Sequence, residues 1–256
     1  MAWMQVNYNS EVLGKEQRFM AMLPEDAYQF DTNETPKQLP VLLLLHGLSS
    51  DETSYLRFTS LERYAKDNGI AVIMPAGDHS GYANMAYGHS YYDYVLEVFD
   101  YALQILPLSK RREDHFIAGH SMGGYGTIKY ALTQGERFSK AAPLSAVFAP
   151  QFLMEIDWND FSGKAILGEK ETATGTELDP YYLVDKALDE DKAIPELLIM
   201  CGTEDDLYQD NLNFIQFLDE KNIPYQFVDG SGIHDYAYWD KAIKYALEWF
   251  AGNPHS

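Results

Sequence analysis

Gly119-His120-Ser121-Met122-Gly123 sets one serine between two glycines in the G-x-S-x-G spacing, directly after the apolar run Phe116-Ile117-Ala118. A strand leading into such a turn and a helix leaving it would lift the serine hydroxyl above a sheet, provided the flanking residues are small. Gly123, Gly124 and Gly126 supply the small residues, and Thr127 to Leu132 supplies a helical pattern. A hydroxyl is a weak nucleophile near neutral pH, so Ser121 needs a base within hydrogen-bond reach and a carboxylate to orient that base. In this arrangement the chain order is Ser, then Asp or Glu, then His. Of the seven histidines only His234 and His255 follow Ser121, and His255 is the penultimate residue. His234, in GSGIHDYAYWD between the strand-like PYQFV and a terminal helical run, is the expected base. The acid is expected after the apolar run ending at Cys201. There Gly202-Thr203-Glu204-Asp205-Asp206 offers three carboxylates, of which position favours Asp205, with Asp206 second.

Acyl transfer through such a serine builds negative charge on a carbonyl oxygen, which needs two preorganised backbone donors. One is expected at the Met122 N–H, at the start of a helix whose dipole favours an anion. The other is expected at the Leu48 N–H, in His46-Gly47-Leu48 after the run VLLLL, with His46 read as a structural residue holding that loop. Gly119, Gly123 and Gly126 also fit part of a dinucleotide fingerprint, and Tyr125 with Lys129 mimics a dehydrogenase pair. A dinucleotide loop follows the first strand of its unit, whereas this turn follows several, so no cofactor is expected.

These residues need strands and helices to hold them. Residues 16–23, 41–45, 70–74, 115–120, 140–148 and 196–201 read as strands, most of them continuous apolar runs of the kind buried on both sheet faces. Residues 54–67, 91–106 and 126–132 carry helical spacing between them, and Asn68-Gly69 stops the first. Alternation of this kind implies right-handed crossovers and an α/β fold with a mostly parallel central sheet flanked by helices on both faces. Residues 149–193 break the rhythm with Trp158, TATGTELDP and dense acids, and are expected to form an inserted cap or lid.

The 256 residues are read as one domain across 1–256. The formal charge of -20 repels nucleic acid and anionic membranes, so neither is an expected partner, while the acidity itself does not indicate what the protein binds. Cys201 is the only cysteine, so no internal disulfide and no cysteine zinc site is expected. The N-terminal residues lack a basic segment followed by an apolar one, and no run reaches the length of a membrane span, so the protein is expected in the cytoplasm.

LLLLHGLSSDETSYLR, IAVIMPAGD, LPLSKRREDHFIAGHSMGGYGTIKYAL, CGTEDDLYQDN and GIHDYAYWD occur in that order across most of residues 40 to 250. In these pieces the chain resembles the esterase D and S-formylglutathione hydrolase family of α/β-hydrolases, and more closely its bacterial tributyrin-esterase branch. The resemblance implies an α/β-hydrolase fold and a cofactor-free serine carboxylesterase acting on short acyl esters, with Ser121 as nucleophile and His234 as base. It aligns the acid with Asp205 and the two donors with Leu48 and Met122. Relatives include feruloyl esterases and deacetylases of plant-derived sugars, and the family contains dimers and higher assemblies, so a homo-oligomer is within expectation. Tyr87, Tyr91, Tyr92, Trp158, Tyr208 and Trp239 are the candidates to line an aromatic acyl or sugar pocket. Other readings on the same fold are a glutathione thioester hydrolase, an acyltransferase and a catalytically silent carbohydrate-binding module.

Overall fold

The computed structural model describes residues 1–25, 38–155, 157–158 and 161–253, with only the backbone at 153, 154, 157, 158 and 161. The elements run β1 (Ala2–Ser10), β2 (Lys15–Leu23), β3 (Val41–Leu45), α1 (Ser54–Phe58), α2 (Leu61–Asn68), β4 (Ala71–Pro75), α3 (Tyr91–Ile105), β5 (His115–His120) and α4 (Met122–Thr133). They continue with β6 (Lys140–Leu144), α5 (Phe152–Glu155), β7 (Asp157–Trp158), β8 (Phe161–Ser162), α6 (Lys164–Leu167), α7 (Pro180–Asp189), β9 (Glu196–Gly202), α8 (Tyr208–Glu220), β10 (Gln226–Gly230) and α9 (Tyr236–Phe250).

Eight strands form one sheet in the order β1-β2-β4-β3-β5-β6-β9-β10. β1 and β2 are antiparallel to their neighbours, and every other pair is parallel. The wholly apolar β3 shows why both faces must be covered. Val41, Leu43 and Leu45 join the core under α3, α4, α7 and α8, while Leu42 and Leu44 join the core under α1, α2 and α9. This is the α/β-hydrolase arrangement. Strand order reverses at β3, with β4 on one side and β5 on the other, and such a switch point opens a crevice at the carboxyl ends of the strands. Leu45 pairs with Gly119, so the loops after β3 and β5 leave the sheet side by side.

The structure departs from the sequence reading in five places. β1 was not foreseen, although its side chains alternate between half-buried and exposed as an edge strand requires. The single helix expected over 54–67 is split at Thr59 and Ser60, where Thr59 is extended and the Ser60 N–H donates to Asp240 Oδ1 of α9 at 2.7 Å. The strand expected over 140–148 stops at Leu144, because Ser145 turns the chain with φ at 42°. The insert expected over 149–193 is shorter. α7, capped by Asp179 and with Leu183, Val184 and Ala187 buried in the core it shares with α4, is a helix of the main fold. α8 went unread because its buried Asn211, Phe214 and Leu218 stand among many polar residues.

Candidate active site

The turn after β5 is tightly constrained. Ser121 has φ at 55° and ψ at -118°, a conformation an L residue holds only when its surroundings impose it. Those surroundings are backbone. A Cβ on Gly119 would lie 2.5 Å from the Gly123 carbonyl oxygen, and one on Gly123 would lie 2.3 Å from the Leu45 carbonyl oxygen. The strand, the turn and the helix can approach this closely only through glycine.

Two further loops bring their side chains to Ser121. Asp205 follows β9, is buried, and accepts from the Leu207 N–H at 2.9 Å. His234 follows β10 and keeps 32% of its side chain exposed. The loops are stitched together: Glu204 Oε2 accepts from the Gly232 N–H at 2.6 Å, and the Glu204 N–H donates to the Gly232 carbonyl at 3.1 Å. His234 Nδ1 then faces both Asp205 oxygens, at 3.0 and 2.9 Å, and Nε2 lies 2.9 Å from Ser121 Oγ. A carboxylate can only accept, so Nδ1 carries the proton and Nε2 presents its lone pair to the serine hydroxyl. Burial pushes the Asp205 carboxyl up, but the hydrogen bonds from His234, the Leu207 N–H and Ser145 outweigh it and hold it below the usual carboxylate range. Asp206 is exposed, and the hydrogen bonds of His234 Nδ1 are to Asp205.

The loop after β3 is held from beneath. His46 Nδ1 donates to the Gly47 carbonyl at 2.8 Å, and Nε2 accepts from the Gly77 N–H at 2.8 Å. Burial keeps this imidazole below its ordinary range and so neutral, as that pair of bonds requires. The Tyr82 hydroxyl donates to the His46 carbonyl at 2.8 Å. Among the described residues no acceptor is bonded to the N–H of Leu48 or of Met122.

The aromatic candidates are placed differently from the sequence reading. Tyr91 is buried and donates to Asp78, Tyr92 stacks on Tyr130, and the Tyr208 hydroxyl donates to Asp229. Trp239 is buried behind His234, edge-on to its ring at 4.9 Å. Tyr87 is exposed and tied to the 149–179 segment through Glu169 and the Ala165 carbonyl. The Trp158 side chain and His255 lie outside what is described. Leu48 and Leu207, which follow β3 and β9, instead pack against a mainly aliphatic buried cluster containing Val147, Ile166, Leu167 and Leu178. Tyr125 and Lys129 do not form a cofactor pair. Tyr125 donates to the Leu178 carbonyl and Lys129 to the Tyr82 carbonyl, both within the core. No group of three or more His, Cys, Asp or Glu residues among those described could hold a metal ion. Glu204, Ser145 and Tyr82 support the site but carried no sequence motif, since their roles come from contacts between distant loops.

The family model described as "Putative esterase" matches residues 10–250. The chain belongs to this esterase family. The esterase is 63% identical to a Staphylococcus aureus structure of FphF, a fluorophosphonate-binding serine hydrolase, with a TM-score of 0.95 and 98% of each chain covered. It is likewise 63% identical to S-formylglutathione hydrolase (FrmB) from Staphylococcus aureus, with a TM-score of 0.91 and the same coverage. A curated acetyl esterase from Caldicellulosiruptor saccharolyticus is 28% identical over 262 residues, covering 98% of both chains. The esterase is thus a hydrolase of carboxylic esters. No helix among the described residues is long and apolar enough to cross a membrane.

Proposed function

We propose that the esterase cleaves short-chain acyl esters, of the acetyl to butyryl type and including acetylated or feruloylated sugars, through an acyl-enzyme on Ser121. The observation that carries this reading is the unbroken chain Asp205–His234–Ser121 beside two unbonded N–H groups. His234 Nε2 takes the hydroxyl proton as Ser121 Oγ attacks the ester carbonyl. The Leu48 and Met122 N–H groups hold the oxyanion, a contribution of about 3 kcal/mol for each donor. His234 then gives its proton to the leaving alcohol, and the same imidazole activates the water that frees the acid. Asp205 keeps the imidazole in the tautomer both steps need and stabilises the imidazolium formed in each.

The aliphatic surroundings of Leu48 and Leu207, beside the loops of the site, support a small apolar acyl group, and the likeness to the acetyl esterase agrees with it. The S-formylglutathione hydrolase relative favours a second reading, a thioester with an anionic leaving group. Against it, such a substrate would approach a chain of charge -20. The test is a p-nitrophenyl ester series from acetate to decanoate, with methyl ferulate and S-formylglutathione, on wild type and Ser121→Ala. Serine-dependent turnover that peaks at short acyl esters supports the proposal. Turnover confined to the thioester would replace it with the second reading, and no turnover on any substrate would leave the silent binding module.

A further inference from the structure

The Leu48 N–H belongs to the second of two consecutive peptide planes in His46-Gly47-Leu48, and the carbonyl of each plane has its own donor. His46 Nδ1 donates to the Gly47 carbonyl at 2.8 Å. A trans peptide is flat, with its N–H opposite to its C=O, so this bond also aims the Leu48 N–H. The plane before it is held from elsewhere, because the His46 carbonyl accepts from the Tyr82 hydroxyl at 2.8 Å. The same carbonyl lies against α4: a Cβ on Gly123 would come within 2.7 Å of its oxygen. α4 begins at Met122, whose N–H is the other oxyanion donor of the mechanism. The two halves of the oxyanion site therefore meet at the His46 carbonyl.

Tyr82 is itself held on several sides. It is fully buried, with a left-handed φ of 48°. Its N–H donates to Ser80 Oγ at 3.0 Å, and its carbonyl accepts from the buried Lys129 Nζ of α4 at 3.2 Å. The ring touches two glycines. A Cβ on Gly77 would lie 2.5 Å from Cε1, and one on Gly126 of α4 would lie 2.6 Å from Cδ2. Backbone and ring thus both rest on α4, while the hydroxyl reaches the loop after β3. A tyrosine kept in a left-handed conformation against glycines of two elements is strained for a mere filler of the core.

We propose that Tyr82 is a positioning residue for the oxyanion site: anchored on α4, it sets through its hydroxyl the distance between the Leu48 N–H and the Met122 N–H. This role rests on the reading of Ser121 and of those two N–H groups given above. An oxyanion needs both donors at hydrogen-bond distance at once. A small shift of the His46 carbonyl therefore weakens the tetrahedral intermediate more than it weakens binding of the flat ester. The same role accounts for Gly77 and Gly126, the two positions at which a side chain would displace the ring.

Tyr82→Phe keeps the ring and removes the bond to His46. Tyr130→Phe, in α4, is its control, because Tyr130 is also fully buried and its hydroxyl donates to a backbone carbonyl, that of Tyr92, at 2.9 Å. Both variants and Ser121→Ala are assayed with p-nitrophenyl butyrate, and with propyl trifluoromethyl ketone as inhibitor. The ketone reports on the oxyanion site: Ser121 Oγ adds to its carbonyl carbon, His234 takes the hydroxyl proton, and the C–O π pair becomes the oxyanion. Each tyrosine variant should lose a few degrees of melting temperature, the effect of one buried hydrogen bond. Only Tyr82→Phe should also lose kcat, by about tenfold at a KM within about twofold, and bind the ketone about tenfold less tightly. Removing an oxyanion donor outright costs about 10²-fold or more, whereas here both donors remain. A Tyr82→Phe enzyme with wild-type kcat or wild-type ketone affinity, or with losses that Tyr130→Phe matches, overturns the positioning role. A Ser121→Ala enzyme that still turns over the ester overturns instead the mechanism on which that role rests.

Discussion

The crevice at the ends of β3 and β5 and the segment 149–179 beside it hold their shapes by opposite means. In the crevice, backbone meets backbone: Gly123 sits against the Leu45 and His46 carbonyls, Gly119 against Gly123, and Gly202 against the Gly232 carbonyl. Its polar side chains are buried and bonded, as with His46, Tyr82 and Asp205. The segment is built from the short helices α5 and α6, the two-residue strands β7 and β8, and ion pairs on its surface such as Lys170–Glu177 at 2.6 Å. Ile166, Leu167, Ala173 and Leu178, with the half-buried Phe152, anchor it to the apolar cluster that reaches Leu48 and Leu207. Positions held to a fraction of an ångström need packing of the crevice's kind, whereas the segment's looser packing leaves its shape less tightly determined.

Substitutions can break this contrast or sharpen it. The largest effect is expected in the crevice from Asp205→Asn, which keeps the geometry but frees the wrong tautomer and should cut kcat by about 10³ to 10⁴-fold. Asp206→Asn should stay near wild type, and equal losses in the two variants would move the acid. Next comes Gly123→Ala. Its methyl group would meet two backbone carbonyls that cannot rotate away, so kcat should fall about 100-fold or more through displacement of the Ser121 turn. Normal activity would mean that the crevice is softer than its contacts imply.

A smaller effect is expected at the junction of the two regions. Lys129 is buried in α4, and burial brings its ammonium down to about 7. The unfolded chain keeps that proton to near the ordinary 10.5, so between these values the unfolded state binds more protons and stability rises with pH. The melting temperature of Lys129→Met should therefore climb less steeply than that of wild type from about pH 7 to 10. Parallel curves would contradict a buried lysine that gives up its proton. The smallest effect belongs to the segment. Both partners of the Lys170–Glu177 pair are largely exposed, so Lys170→Ala should change stability by no more than about 1 kcal/mol and leave kcat near wild type.

The same contrast explains what could be read from the sequence. The crevice rests on rules that leave a local mark: an apolar run before a glycine-rich turn, small residues where backbones touch, and a fixed order of serine, acid and histidine. Ser121, Asp205 and His234 were legible for that reason, and the structure brings them together within 3.0 Å. Tyr91 and Trp239 were misplaced because an aromatic residue looks the same in a core as in a pocket, and only packing decides between them. β1 was missed because Ala2 to Ser10 mixes Gln and Asn into its alternation, and α8 because a half-exposed helix dilutes its apolar stripe. Ser145 left no local signal, since its φ and its partner Trp239, far along the chain, exist only in the folded molecule.

The most direct measurement is the mass of the esterase after reaction with a fluorophosphonate, followed by mapping of the modified peptide. Attack by Ser121 Oγ on phosphorus expels fluoride, with His234 taking the proton, and leaves a stable ester on one residue. The account predicts one adduct per chain, on Ser121, and none in Ser121→Ala. An unmodified wild-type chain, or an adduct on any other residue, would contradict it.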